Sequence, residues 1–330
     1  RLALNDGALT YDDGQASFAT FSVSDAGPGV GRALANLING TGGFDDIPLA
    51  SQTFSSATLD TLVVNTQGDE TTGPGELVIA RAEAGAFDGA RLDRFTLTDL
   101  GYDAVEPTGG RTVLDIGEIA AEGVSAALFD PAAAGDMATN PLIGGASAGF
   151  DQYDRVAVRG LRVVSGGARV RMPEFTAAIE ERGGVLVSTA AMASMTVDAD
   201  PDGESAAAFS EALAQLGYDA MAFSFASETE YDPEADRVTT AGENFLAMED
   251  GFMMRFEQDV SGVEAYASAY QAWLETAETA EAGPPADVLA PLMIHSGEIR
   301  LEDRSLLDRA LSLMAERQGS TPAELRAQAG

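Results

Sequence analysis

The segment Asp198-Ala199-Asp200-Pro201-Asp202-Gly203-Glu204 gathers potential metal ligands in a short stretch. Carboxylates on alternate residues, with a glycine to turn the backbone, are the oxygen donors from which calcium loops start. Asp198, Asp200, Asp202 and Glu204 are the candidate calcium ligands, and calcium is the one cofactor the sequence suggests. The twelfth loop position, where a bidentate Glu belongs, is Phe209, and Glu211 lies two residues further on. The competing reading is an Asp/Gly turn that opens a helix.

A nucleophile is offered by Gly145-Ala146-Ser147-Ala148-Gly149, which matches the G-x-S-x-G elbow of serine hydrolases. The sole histidine, His295, follows it in the chain order such a triad requires. The elbow needs a buried strand before the serine and a helix after it, whereas Gly149-Phe150-Asp151-Gln152-Tyr153 leads towards another strand. His295 also keeps phase with Met293, Ile299 and Leu301, as a packed strand histidine would. The sequence thus points away from an enzyme, with a hydrolase using Ser147 and His295 as the alternative. Gly27-Pro28-Gly29-Val30-Gly31 resembles a dinucleotide loop, but its third glycine is misplaced and no βαβ unit follows, so it reads as a turn into a short helix.

Arg155, Arg159, Arg162, Arg169, Arg171 and Arg182 concentrate six of the 19 basic residues in one region. Arg155, Arg159, Arg162, Arg169 and Arg171 could dock an anionic headgroup or an acidic partner surface. Arginines so placed in an acidic chain would equally balance neighbouring acids. Nine of the ten methionines lie after position 170, where adaptable side chains would suit lipid chains or a variable apolar partner, or would simply fill a core.

The elements that must position these groups show mainly a period of two. Met221, Phe223 and Phe225 alternate with small residues, Asp232-Pro233-Glu234-Ala235-Asp236 turns, and Phe252, Met254, Phe256 and Val260 alternate with Met253, Arg255, Glu257 and Asp259. Similar runs occupy 15–24, 57–65, 76–83, 111–120, 154–164, 168–180 and 184–199, several parted by glycine pairs. Helices are expected near 204–216, 262–278, 303–318 and 322–328, the last opened by the capping box Thr321-Pro322-Ala323-Glu324. The pattern predicts an α+β fold of long antiparallel meanders with peripheral helices. Leu100-Gly101-Tyr102-Asp103-Ala104 recurs as Leu216-Gly217-Tyr218-Asp219-Ala220, which suggests two related units, 1–150 and 151–330.

Composition narrows the partners. Across 330 residues, 53 acids face 19 bases, giving a formal charge of −34, and every base is arginine. Such a field repels nucleic acid and anionic surfaces and suits salt-rich surroundings, where screening relieves self-repulsion. The absence of cysteine excludes disulfides, thiolate-ligated metals and thiol catalysis. No apolar run approaches the length of a membrane-spanning helix. A start at Arg1 without Met fits a processed, exported protein.

Leu216-Gly217-Tyr218-Asp219, the strand ending in Tyr231-Asp232-Pro233, the stretch Ile299–Arg309 and the closing Thr321-Pro322-Ala323-Glu324-Leu325-Arg326 resemble uncharacterised proteins of the alphaproteobacterial cell envelope. More loosely, residues 216–330 are similar to AsmA-like envelope proteins, whose β-meanders form lipid-accommodating grooves. That resemblance implies a periplasmic or envelope location, a lipid or envelope protein as partner, and no catalytic residue. The function expected is non-enzymatic binding along a β-sheet groove; a calcium-stabilised structural or adhesive module is a further alternative.

Overall fold

A computed structural model describes residues 1–11, 14–39, 41, 47–68, 73–105, 110–126, 152–203, 205–276 and 285–329. Its strands form one 13-stranded antiparallel sheet in which spatial order equals chain order, β1 to β13. The strands are β1 Leu2–Tyr11, β2 Gly14–Ser24, β3 Ser56–Thr66, β4 Gly75–Ala84, β5 Arg91–Val105, β6 Arg111–Ser125 and β7 Arg155–Ser165. They continue as β8 Ala168–Arg182, β9 Val185–Ala199, β10 Ala220–Asp232, β11 Arg237–Met248, β12 Phe252–Ser261 and β13 Met293–Asp303.

The helices occupy the ends of the strands. Helix α1 (Pro28–Asn39) follows β2, α2 (Ala206–Gln215) joins β9 to β10, and α3 (Val263–Thr276) with the single turn α4 (Ala286–Leu289) joins β12 to β13. Helices α5 (Leu306–Gln318) and α6 (Pro322–Ala329) close the chain. Among the described residues, contacts between these helices and the sheet are few. The fold is therefore mostly antiparallel β, and the α+β description is too even-handed: the sheet dominates, and helices finish strand ends. The helix starts obey local chemistry. Thr321 and Glu324 form the reciprocal capping box, with the Glu324 carboxylate accepting from the Thr321 N–H at 2.8 Å and the Thr321 hydroxyl accepting from the Glu324 N–H at 3.3 Å. Gly319, at φ 65°, ends α5 in the left-handed conformation that glycine adopts without strain.

The buried core is divided. Val23, Val30 and Leu34 form one cluster against Leu4 and Phe21. Phe87, Leu92, Ala121 and Val124 form a second, and Tyr231, Val238 and Val263 a third. All three lie at the strand ends where β2, β4, β6, β10 and β12 finish, the end carrying α1, α3 and α4. Further buried residues such as Leu213, Met248 and Ala315 lie at the opposite strand ends. The middle of the sheet has no such cluster.

Midway along several strands a residue takes the left-handed conformation: Asp6 (φ 53°), Thr61 (φ 53°) and Asp99 (φ 52°), with Gly160 (φ 67°) and Gly242 (φ 59°) further on. Pairing skips these positions; Leu62 pairs with Ile79 and Asp60 with Arg81, leaving Thr61 out. The register is the same on either side, so Thr61 and the opposite Ala80 both stand outside the ladder with no residue inserted. A crease runs across the sheet at this level.

The proposed boundary near residue 150 lies outside the described residues, and the sheet continues across it, with β6 paired to β7. The two copies of the Leu-Gly-Tyr-Asp-Ala echo adopt different structures. Leu100–Ala104 is the second half of β5, whereas Gly217 (φ 75°) stops α2 and turns the chain towards β10.

Candidate functional site

Register decides which side chains share a face, and here it sorts them by chemistry. Following the printed partners from strand to strand, one row reads Leu4, Phe21, Leu59, Ala82, Leu97, Ile119, Val158, Phe175, Met192, Phe225, Leu246, Met254 and Leu301. Every member is apolar, and the row crosses all 13 strands. A second row, on the other side of the crease, runs from Leu9 to Met221 through Val64, Leu77, Leu114 and Val170. At about 4.8 Å between strands the apolar face is on the order of 55–60 Å long.

The neighbouring row points the other way and reads Asn5, Thr20, Asp60, Arg81, Thr98, Glu118, Arg159 and Glu174. This face satisfies itself through ion pairs across strands. Arg81 bonds Asp60 at 3.1 Å and also Glu83; Arg159 bonds Glu118 and, at 2.8 Å, Glu174. Arg162 bonds Asp115 at 2.9 Å.

The arginines considered for a headgroup patch belong to this polar face. Arg159 and Arg162 are engaged as above, and Arg155 stands opposite Glu122 in the register. Arg169 holds Asp198 through two bonds of 3.0 and 2.8 Å, and Arg171 adds a third at 2.9 Å. They lie on the side of the sheet opposite the apolar rows, and acids of adjacent strands bond the guanidinium groups of Arg159, Arg162, Arg169 and Arg171.

The same contacts place the calcium candidates. Asp198 ends β9 with its carboxylate committed to Arg169 and Arg171, and the bond from Arg169 holds its pKa below the usual carboxylate value. Asp200 is buried; its N–H donates to Gly167 O at 2.9 Å and its C=O accepts from Gly203 N–H at 3.0 Å, which makes this segment a turn into α2. Asp202 is exposed beside it, and Glu204 lies outside the described residues. Among the described residues no three acidic or histidine side chains converge as metal ligands.

Ser147 also lies outside the described residues. His295 sits on β13 and is exposed, with Nε2 2.8 Å from Ser261 Oγ on β12. Asp259 is bonded through Oδ1 to Arg237 Nε at 2.7 Å, and that bond keeps its pKa low. A serine and histidine in contact could in principle activate a hydroxyl. Here the pair lies on an open strand surface, and Asp259 is held by an arginine rather than left to orient the imidazole. The Ser261–His295 contact was not readable in sequence, because it depends on the one-residue register step between β12 and β13 at Asp259 and Val260. Two glycines of the 27–31 motif are explained by packing: a side chain at Gly27 would meet Thr53 Oγ1 at 2.3 Å and one at Gly29 would meet Ser51 O at 2.2 Å, both on the connection from α1 to β3, whereas Gly31 has open space around it.

A shallow cavity of about 360 Å³ lies between α2 and α5, lined by Gln215, Leu216, Asp308, Arg309 and Glu316 among others. Its main feature is structural. Arg309 stacks 4.2 Å over the Tyr218 ring and donates to Leu216 O at 3.3 Å, tying α5 to the end of α2.

Residues 245–330, from late β11 through β13 and the C-terminal helices, match a family model described as "Uncharacterized protein". No curated protein and no solved structure matches the chain. Among the described residues, no helix is long and apolar enough to cross a membrane.

Proposed function

We propose that this chain is a non-enzymatic binding protein of the cell envelope that holds the hydrocarbon chains of a lipid along the apolar face of its sheet. The observation that carries the reading is the unbroken apolar row from Leu4 to Leu301. Along that face the side chains are mostly half-buried, from the buried Leu97 to the exposed Leu301, so apolar surface continues from strand to strand across the sheet. Hydrocarbon covers such a face without demanding hydrogen bonds, and Phe175, Met192, Phe225 and Met254 adapt to chains of varying shape. The polar face, laced by ion pairs across strands and carrying excess acids, would remain in water.

Solvent extraction and native mass spectrometry of the purified protein test this. Recovered lipid, released when the apolar row is charged by substitution, is the expected result. A protein free of lipid that also fails to take up a fluorescent fatty acid would remove the proposal and favour a protein partner on the same face.

A further inference from the structure

The two edges of the sheet are not equivalent. Edge strand β1 carries the left-handed Asp6 at its centre, and α1 packs against its Leu4, so its outer edge is bent and partly guarded. Edge strand β13 has neither protection. From Ser296 to Asp303 it pairs with β12 without a register step, no residue in it has positive φ, and all its residues are exposed. Ile294, Ile299 and Leu301 are 73%, 74% and 69% exposed, the highest values among the large apolar residues. Helix α5 turns back from Asp303 towards α2, where Arg309 anchors it, and so leaves the outer edge of β13 open.

Charge adds a second, independent observation. On the polar face, β13 meets like charges on its inner side: Arg300 stands opposite Arg255, and Glu298 opposite Glu257. Like charges directly opposite are unfavourable, and the Arg300–Glu298 contact within the strand relieves them only in part.

We infer that β13 pairs antiparallel with β13 of a second copy of this chain, with Ile299 opposite Ile299. That register places Glu298 opposite Arg300 of the second copy, and Arg300 opposite Glu298, so both like-charge rows gain an opposite neighbour. It sets Leu301 beside Gly297 on the apolar face and uses the strand from His295 to Asp303. Centring on Arg300 would oppose Arg300 to itself and Glu298 to Glu302; centring on Glu298 would oppose that carboxylate to itself. A one-residue slip would place apolar residues against polar ones. The two-fold axis stands perpendicular to the sheet, and the apolar faces of the two copies join into one.

Sedimentation velocity at micromolar concentration should give twice the 34.1 kDa chain mass. Arg300→Glu should return the monomer, and combining it with Glu298→Arg should restore the dimer, which a folding defect would not do. Because the chain has no cysteine, Ile299→Cys provides a single reactive thiol that a short bis-maleimide should link between copies, whereas Leu301→Cys should link far more slowly. A wild-type monomer, a dimer indifferent to Arg300→Glu, open-ended oligomers, or faster linking at 301 would each overturn the inference. None of these outcomes depends on whether lipid is bound.

Discussion

The two faces of this sheet are made from the same strands, one residue apart, yet they meet opposite fates. The face carrying Asp60, Arg81, Glu118, Arg159 and Glu174 completes its interactions within the chain. The face carrying Leu59, Ala82, Ile119, Val158 and Phe175 is half-buried along much of its length and forms three fully buried clusters at one set of strand ends. A polar face can be satisfied by neighbours in the same layer, because ion pairs and hydrogen bonds reach sideways. An apolar face needs something above it, since the gain comes from excluding water. On the function proposed above, the chain would close its polar face by itself and its apolar face with a bound lipid.

Substitutions on the two faces should separate accordingly. Phe225→Glu, in the middle of the apolar row, should reduce bound lipid roughly tenfold or more, the scale of losing one buried aromatic contact; quantitative extraction against the wild type measures it. Asp198→Ala on the polar face should leave lipid binding unchanged but lower Tm by about 2–4 °C at neutral pH, because two arginines lose their shared partner. The pH dependence has a defined sign. The folded pKa of Asp198 lies below its unfolded value, so its contribution is present above about pH 4 and is lost as pH falls through the lowered value. The Tm gap between wild type and Asp198→Ala should close below about pH 4.

Smaller effects probe the alternatives. Arg159→Ala removes contacts among groups that are largely in water, and its Tm should move by less than about 1 °C. Adding EDTA should leave Tm unchanged, since the Asp198 carboxylate is already held by arginines; a drop would revive a calcium loop at Asp198, Asp200 and Asp202. A fluorophosphonate serine probe should label the wild type no more than Ser261→Ala or Ser147→Ala. Labelling lost in either variant would point to a hydrolase.

Much of the sheet is legible in the sequence, and the reason it is incomplete is local. Met221, Phe223 and Phe225 alternate without interruption and lie on one strand, as the period of two predicts. Strands β1 and β5 escape that reading because the left-handed Asp6 and Asp99 interrupt the alternation, leaving apolar residues such as Leu97 and Leu100 at a spacing that looks helical. The stripe of Val263, Tyr266, Tyr270 and Trp273 reads as a helix and forms α3. What single-strand patterns cannot contain is register. The apolar row is a property of twelve successive pairings, and whether a second layer covers it depends on where the helices dock. The arginine cluster was visible as composition, but its commitment to acids on adjacent strands, such as Asp115 and Glu118 on β6, appears only when strands are aligned.

Because spatial order follows chain order, each strand touches little beyond the strand before it and the strand after it. Stability in such an array approaches a sum of nearest-neighbour terms, as in solenoid repeats, rather than the property of one shared core. Loops stay short in the sense that matters for folding: each new strand needs only its predecessor, so the sheet can grow hairpin by hairpin as the chain is made. Damage should stay local for the same reason. A weakened terminal strand frays without dissolving the rest, whereas a break at β6 or β7 divides the array into two shorter ones.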